Sequence, residues 1–154
     1  MSDSPERPLP GITIVREFDA TRERVFDAWV TPSSFAAWFG GAASEVPPET
    51  VQMDVRDGGS WSATMFAGPD RHEIPWSGRF IEVRRPARLV LTLSDVPGED
   101  PHADEFVTVL FEPLDGDRTQ MTFHQGGDNL TPEQYEQARA GWLTFFQALA
   151  DTLV

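Results

Sequence analysis

The sequence predicts an α+β fold in which an antiparallel sheet is covered by a long C-terminal helix. Between residues 49 and 125, apolar side chains recur at every second position, the period of half-buried strands, with turn residues between the runs. Beyond residue 130 the period lengthens to that of a helix, placing Tyr135, Ala138, Trp142, Phe145, Phe146, Leu149 and Leu153 on one face. A sheet with an apolar row and a helix with an apolar stripe each need cover, and each is the cover the other lacks.

The elements follow in order. Residues 1–10 contain three prolines and are expected to form a flexible tail; residues 11–154 are expected to form a single domain. Ile12, Ile14 and Val15 through Phe18 give a first strand. Thr21 is a candidate cap for a helix whose apolar face is Val25, Phe26, Trp29 and Val30, and Pro32 stops it. Ser33 or Ser34 starts a second short helix, which ends near Trp38 and Phe39 at the Gly40-Gly41 breaker. Residues 42–49 read as a loop.

The strands come next. Val51, Met53 and Val55 alternate with polar residues up to an Asp57-Gly58-Gly59 hairpin turn; Trp61, Ala63 and Met65 alternate up to Gly68-Pro69-Asp70. Parity breaks in residues 73–83, where Trp76, Gly78 and Phe80 share one face while Ile81 and Val83 fall on the other. A bulge reconciles them. Leu89, Leu91 and Leu93 form the next inward row, and the acidic residues 95–105 read as an exposed loop. Val107, Val109 and Phe111, an Asp115-Gly116-Asp117 turn, and Thr119, Met121 and Phe123 complete a meander. Thr131, Pro132, Glu133 and Gln134 mark the start of the closing helix. Gly141 interrupts that helix at a cost of about 1 kcal/mol relative to alanine. The expected offset is close approach of the helix backbone to the sheet; a ligand lying against the helix is the alternative.

Composition narrows the function classes. The 25 acidic and 12 basic residues leave a net charge of −13, which repels phosphate backbones and anionic membranes, so neither nucleic-acid binding nor membrane insertion is expected. Cysteine is absent, excluding disulfides and thiolate chemistry, and every basic residue is arginine, excluding lysine Schiff bases. The polar N-terminus lacks a signal-peptide pattern, and a cytoplasmic protein is expected. His72, His102 and His124 have no metal-ligand spacing, and parity puts His124 on the outer face; no metal or cofactor is expected.

Parity gives an inward set of Trp61, Met65, Trp76, Phe80, Leu91, Val109, Phe111, Met121 and Phe123, facing Tyr135, Trp142, Phe145 and Phe146 across the interior. These residues either pack as a core or line a cavity. Trp38 and Phe39, at a helix-to-glycine junction, either anchor the short helix or form a pocket rim. An empty apolar cavity of about 300 Å3 would forgo roughly 7 kcal/mol, comparable with the whole stability of a domain.

Seven local patterns then occur in a fixed order. They are Phe18-Asp19-Ala20-Thr21 with Val25-Phe26-Asp27-Ala28-Trp29; Trp38-Phe39-Gly40; Asp57-Gly58-Gly59-Ser60-Trp61; Gly78 with Phe80; Pro86-Ala87-Arg88-Leu89-Val90; Thr119-Gln120-Met121-Thr122-Phe123; and Gly141-Trp142. Over about residues 12–153 the chain resembles the START-like (SRPBCC) helix-grip superfamily, and within it the AHSA-type bacterial proteins named for activation of the heat-shock-protein-ninety ATPase. The resemblance implies a helix-grip fold: a curved antiparallel sheet wrapped around the C-terminal helix, two short helices after the first strand, and a cavity between sheet and helix.

It also implies an apolar or amphipathic small molecule as partner, with Trp38, Phe39, Trp61, Met65, Trp76, Phe80, Leu91, Val109, Phe111, Met121, Phe123, Tyr135, Trp142 and Phe146 as candidate ligand-binding residues. Two other readings stand beside it. One is an enzyme of the polyketide cyclase or dehydratase type, with Tyr135 or a cavity-edge carboxylate as proton donor. The other is a chaperone-interacting module, which is not expected because the chain has no additional N-terminal domain. A homodimer is compatible with the sequence.

Overall fold

The computed structural model describes residues 11–94, 105–127 and 130–153, so the expected tail and nearly all of the acidic loop at 95–105 lie outside the described residues. Strand β1 (Ile12–Phe18) alternates buried Ile12, Ile14 and Phe18 with exposed neighbours. Helix α1 (Arg22–Val30) is capped by the Thr21 hydroxyl, which accepts from the Arg24 N–H, and it buries Val25, Phe26, Ala28 and Trp29. Pro32 does more than end it. It is the first residue of α2 (Pro32–Trp38), where its fixed φ and missing donor suit the first turn, so one residue stops one helix and starts the next. The stretch read as a loop at 42–49 contains a two-residue strand, β2 (Ser44–Glu45), and runs into a 3-10 turn, Pro48–Thr50.

Alternation at Val51, Met53 and Val55 yields only the two-residue β3 (Gln52–Met53). The chain folds back at once, and a side chain at Gly59 would stand 1.8 Å from the Asp54 carbonyl oxygen. The remaining strands are β4 (Ser60–Ala67), β5 (His72–Arg84), β6 (Arg88–Leu93), β7 (Glu105–Leu114) and β8 (Arg118–Gly126). All pairings are antiparallel, in the order β1-β8-β7-β6-β5-β4-β2, with β3 also on β4. The first strand thus lies beside the last, Ile12 opposite Gln125 and Phe18 opposite Thr119. The bulge that parity requires falls between Phe80 and Glu82; it turns Ile81 outward and returns Val83 to the packed side.

Gly78 has a local reason to be glycine. It pairs with Trp61, whose indole N–H crosses to the Thr92 carbonyl at 2.9 Å, and a Cβ at Gly78 would sit 1.9 Å from that oxygen.

Helix α3 (Pro132–Thr152) begins with a full capping box: Thr131 Oγ1 accepts from Gln134 N–H, and Gln134 Oε1 accepts from Thr131 N–H. Its stripe buries Tyr135, Trp142, Phe146 and Leu149 against the concave side of the curved sheet. The backbone approach expected at Gly141 is absent: a Cβ there would meet no described atom within 4 Å. The smallness of residue 141 therefore answers no packing demand from the sheet.

Candidate functional site

Three helices and the β3–β6 half of the sheet converge on one narrow apolar space. Trp29 of α1, Phe35 and Phe39 at α2, Met53 of β3, Trp61 of β4, Phe80 of β5, Leu91 and Leu93 of β6, and Trp142 of α3 form its wall. Its volume is about 10 Å3, room for about one water molecule. The interior is otherwise filled by aromatic packing. Trp29 meets Trp38 at 4.7 Å between centroids and Trp142 at 6.1 Å, while Phe123 lies 4.6 Å from Trp142 and 5.1 Å from Phe146.

The residues proposed from the sequence divide by position. Phe39, Trp61, Phe80, Leu91 and Trp142 line the void. Met65, Val109, Phe111, Met121, Phe123 and Phe146 are buried in the packing around it. Trp38 ties α2 to α1, its indole N–H donating to the Ala28 carbonyl at 2.9 Å. Trp76 is half-buried and meets Phe39 edge-on at 5.9 Å. Trp29, Phe35, Met53 and Leu93 line the void as well. Their signals were present in the sequence: Trp29 lies on the apolar face of the first helix, Leu93 ends an inward row, and Met53 alternates in phase.

The tryptophans also differ in their hydrogen bonds. Trp38, Trp61 and Trp142 each have an acceptor for the indole N–H. Trp29 and Trp76 have none, although both Nε1 atoms are buried. An unmet buried donor costs about 1–3 kcal/mol. For Trp29 this donor belongs to a wall residue of the void.

Tyr135 leads to a polar node. Its hydroxyl donates to Glu105 Oε2 at 3.2 Å, Gln125 Nε2 donates to Glu105 Oε1 at 3.1 Å, and Trp142 Nε1 donates to Gln125 Oε1 at 2.7 Å. Glu105, expected in an exposed loop, is instead the first residue of β7 and only 6% exposed. Acidic neighbours on its N-terminal side hid it. Its phase could have revealed it, since Glu105 stands two residues before Val107 in the row Val107, Val109, Phe111.

Other chemistry is sparse. His124 lies on the outer face against the Thr13 hydroxyl at 2.9 Å, and among the described residues no group of three metal-binding side chains gathers. An open cleft of about 410 Å3 lies between α1, α2 and the end of α3, lined by Arg24, Asp27, Ala28, Ser33, Ser34, Ala37, Thr152 and Leu153. Arg24 is committed there to the Leu153 carbonyl at 2.9 Å. Among the described residues no helix is long and apolar enough to cross a membrane.

The sequence model of the family described as Activator of Hsp90 ATPase homolog 1-like protein matches residues 19–154. The chain belongs to this family. Solved structures of similar shape agree with its helix-grip, START-like architecture. A Chromobacterium violaceum protein shares 23% identity at a TM-score of 0.78, covering 92% of this chain and 96% of that one. A Staphylococcus epidermidis protein shares 22% identity at a TM-score of 0.76, covering 96% and 92%. An AHSA1 protein from Silicibacter pomeroyi shares 25% identity at a TM-score of 0.72, covering 92% and 96%. No protein of curated function matches the sequence.

Proposed function

We propose that this AHSA1-family protein binds an apolar or amphipathic small molecule between the sheet and α3, around the void walled by Phe39, Trp61, Phe80, Leu91 and Trp142. The observation that carries the proposal is an apolar space walled jointly by the three helices and the sheet, one of whose wall residues, Trp29, keeps a buried indole N–H without an acceptor. One water fits by volume but is poorly held, because a buried water needs two to four polar partners and the side chains of this wall are apolar apart from their indoles. A ligand with an apolar body and one acceptor suits the wall better.

The small size of the void fits a closed resting form. Holding about 300 Å3 open and empty, the lower range for small-molecule pockets, would forgo roughly 7 kcal/mol. Ligand and expansion are therefore coupled, and flexible wall residues such as Met53 ease the repacking. Acid–base chemistry within the void finds no support in its apolar wall. The proposal carries over nothing of the chaperone activation in the family's description.

Native mass spectrometry of the purified protein, with titration of an anilinonaphthalene dye, tests the reading. Retained small molecules, or saturable one-to-one dye uptake that enhances emission, are expected. Neither retained mass nor saturable uptake would overturn it.

A further inference from the structure

We propose that Met53 is an oxidation site on the wall of the void, and that converting its thioether to the sulfoxide drives the bound molecule out. The inference rests on the ligand-binding reading above and adds a regulation of that site. Met53 pairs with Trp61 in antiparallel register, so the two side chains stand side by side on one face of the sheet, and both line the void. Strand β3 is only two residues long, and among the described strands it pairs with β4 alone, which leaves its other flank without a neighbouring strand. Burial follows this position. Met53 is partly exposed, whereas every other wall residue is buried. Met65 and Met121, at 3% and 0% exposure, lie deep in the packing. Among the described methionines an oxidant therefore reaches Met53 first.

The wall holds no other sulfur, and the chain has no cysteine. The remaining wall residues are Trp, Phe and Leu, so Met53 is the one whose polarity reversible two-electron chemistry can change. The co-reactant is a peroxide. A sulfur lone pair attacks one oxygen of hydrogen peroxide, and the O–O bond breaks as the S–O bond forms. The departing hydroxide takes up the proton left on the transferred oxygen, so the peroxide is reduced to water while sulfur is oxidised by two electrons. The product places one polar oxygen in a wall that otherwise meets an apolar body. Burying that oxygen against the ligand without a donor costs binding energy. The flexible thioether that eases repacking around a ligand thus becomes a polar group that opposes it.

Graded treatment with hydrogen peroxide, followed by peptide mapping and titration of the anilinonaphthalene dye, tests the inference. Met53 is expected to gain oxygen before Met65 and Met121. Dye affinity is expected to fall about tenfold or more in step with oxidation at Met53, while the far-ultraviolet dichroism stays unchanged. Met53→Leu, compared with itself before and after peroxide, is expected to show no such fall. Methionine sulfoxide reductases are expected to restore the affinity of the oxidised unaltered protein. Oxidation of Met65 or Met121 ahead of Met53, dye affinity unaltered at full oxidation of Met53, loss of the helical signal together with the dye, or an equal fall in Met53→Leu would each overturn the inference. Should that variant fail to fold, the reductases decide: affinity that stays low once Met53 is reduced marks damage elsewhere and overturns it. Dye uptake that ignores oxidation overturns this inference alone; untreated protein that retains no small molecule and takes up no dye overturns the ligand-binding reading as well.

Discussion

Asp27 and Arg85 show how single residues tune this fold. The guanidinium of Arg85 donates from Nε and Nη2 to the two Asp27 oxygens at 2.8 and 2.9 Å, joining α1 to the turn between β5 and β6. These hydrogen bonds, opposed by partial burial and aided by the charge of Arg85, hold the Asp27 carboxyl below the usual aspartate range. The folded protein thus binds that proton more weakly than the unfolded chain. The pair's contribution is fully present above the unfolded aspartate pKa of about 4 and is lost as pH falls through the lower folded value. Both side chains are about half exposed, so water and salt keep the effect small. Asp27→Asn should lower the denaturant midpoint slightly at neutral pH and converge with the unaltered protein in acid. Equal differences at both pH values would contradict the assignment. At this scale the sequence was least informative: neither this pair nor the Glu105 node can be read from spacing, because each joins residues that only the folded topology brings together.

Among the elements, α3 was the most legible, since Thr131, Pro132 and Gln134 announce its start and its stripe announces its buried face. The strands were legible by parity, but their lengths were not. Val51 to Val55 alternates as well as any strand, yet pairing ends after two residues because the chain recoils at Asp54, where no periodicity signals it. Gly141 permits a direct test at this scale. With no described atom within 4 Å of a built Cβ, alanine should fit and recover helix propensity, raising stability by about 1 kcal/mol. Chemical denaturation of Gly141→Ala measures this. A loss of stability would restore the close-approach explanation that the geometry removes.

For the whole molecule, the meander and its covering helix were legible because each leaves an apolar face that demands the other. The place of β1 at the sheet's edge was not, as β1 pairs with β8 across more than one hundred residues and no local pattern encodes so distant a partner. The net charge of −13 also acts at this scale. Self-repulsion opposes compactness and is screened over about 10 Å at 0.1 M salt. The thermal midpoint should therefore rise as sodium chloride is added to a few tenths molar, before ion-specific effects enter. A midpoint that falls over that range would show that the surface ion pairs outweigh the repulsion.

The crowding of indoles gives the protein an optical signature of its own. Trp29 lies within 6.1 Å of both Trp38 and Trp142, close enough for their electronic transitions to couple. The near-ultraviolet dichroism of the folded chain should therefore be strong and should depend on the relative tilt of these rings. Any molecule that parts Trp29 from Trp142 alters that spectrum without a label. The same rings that close the interior would thus report the opening that the proposed ligand requires.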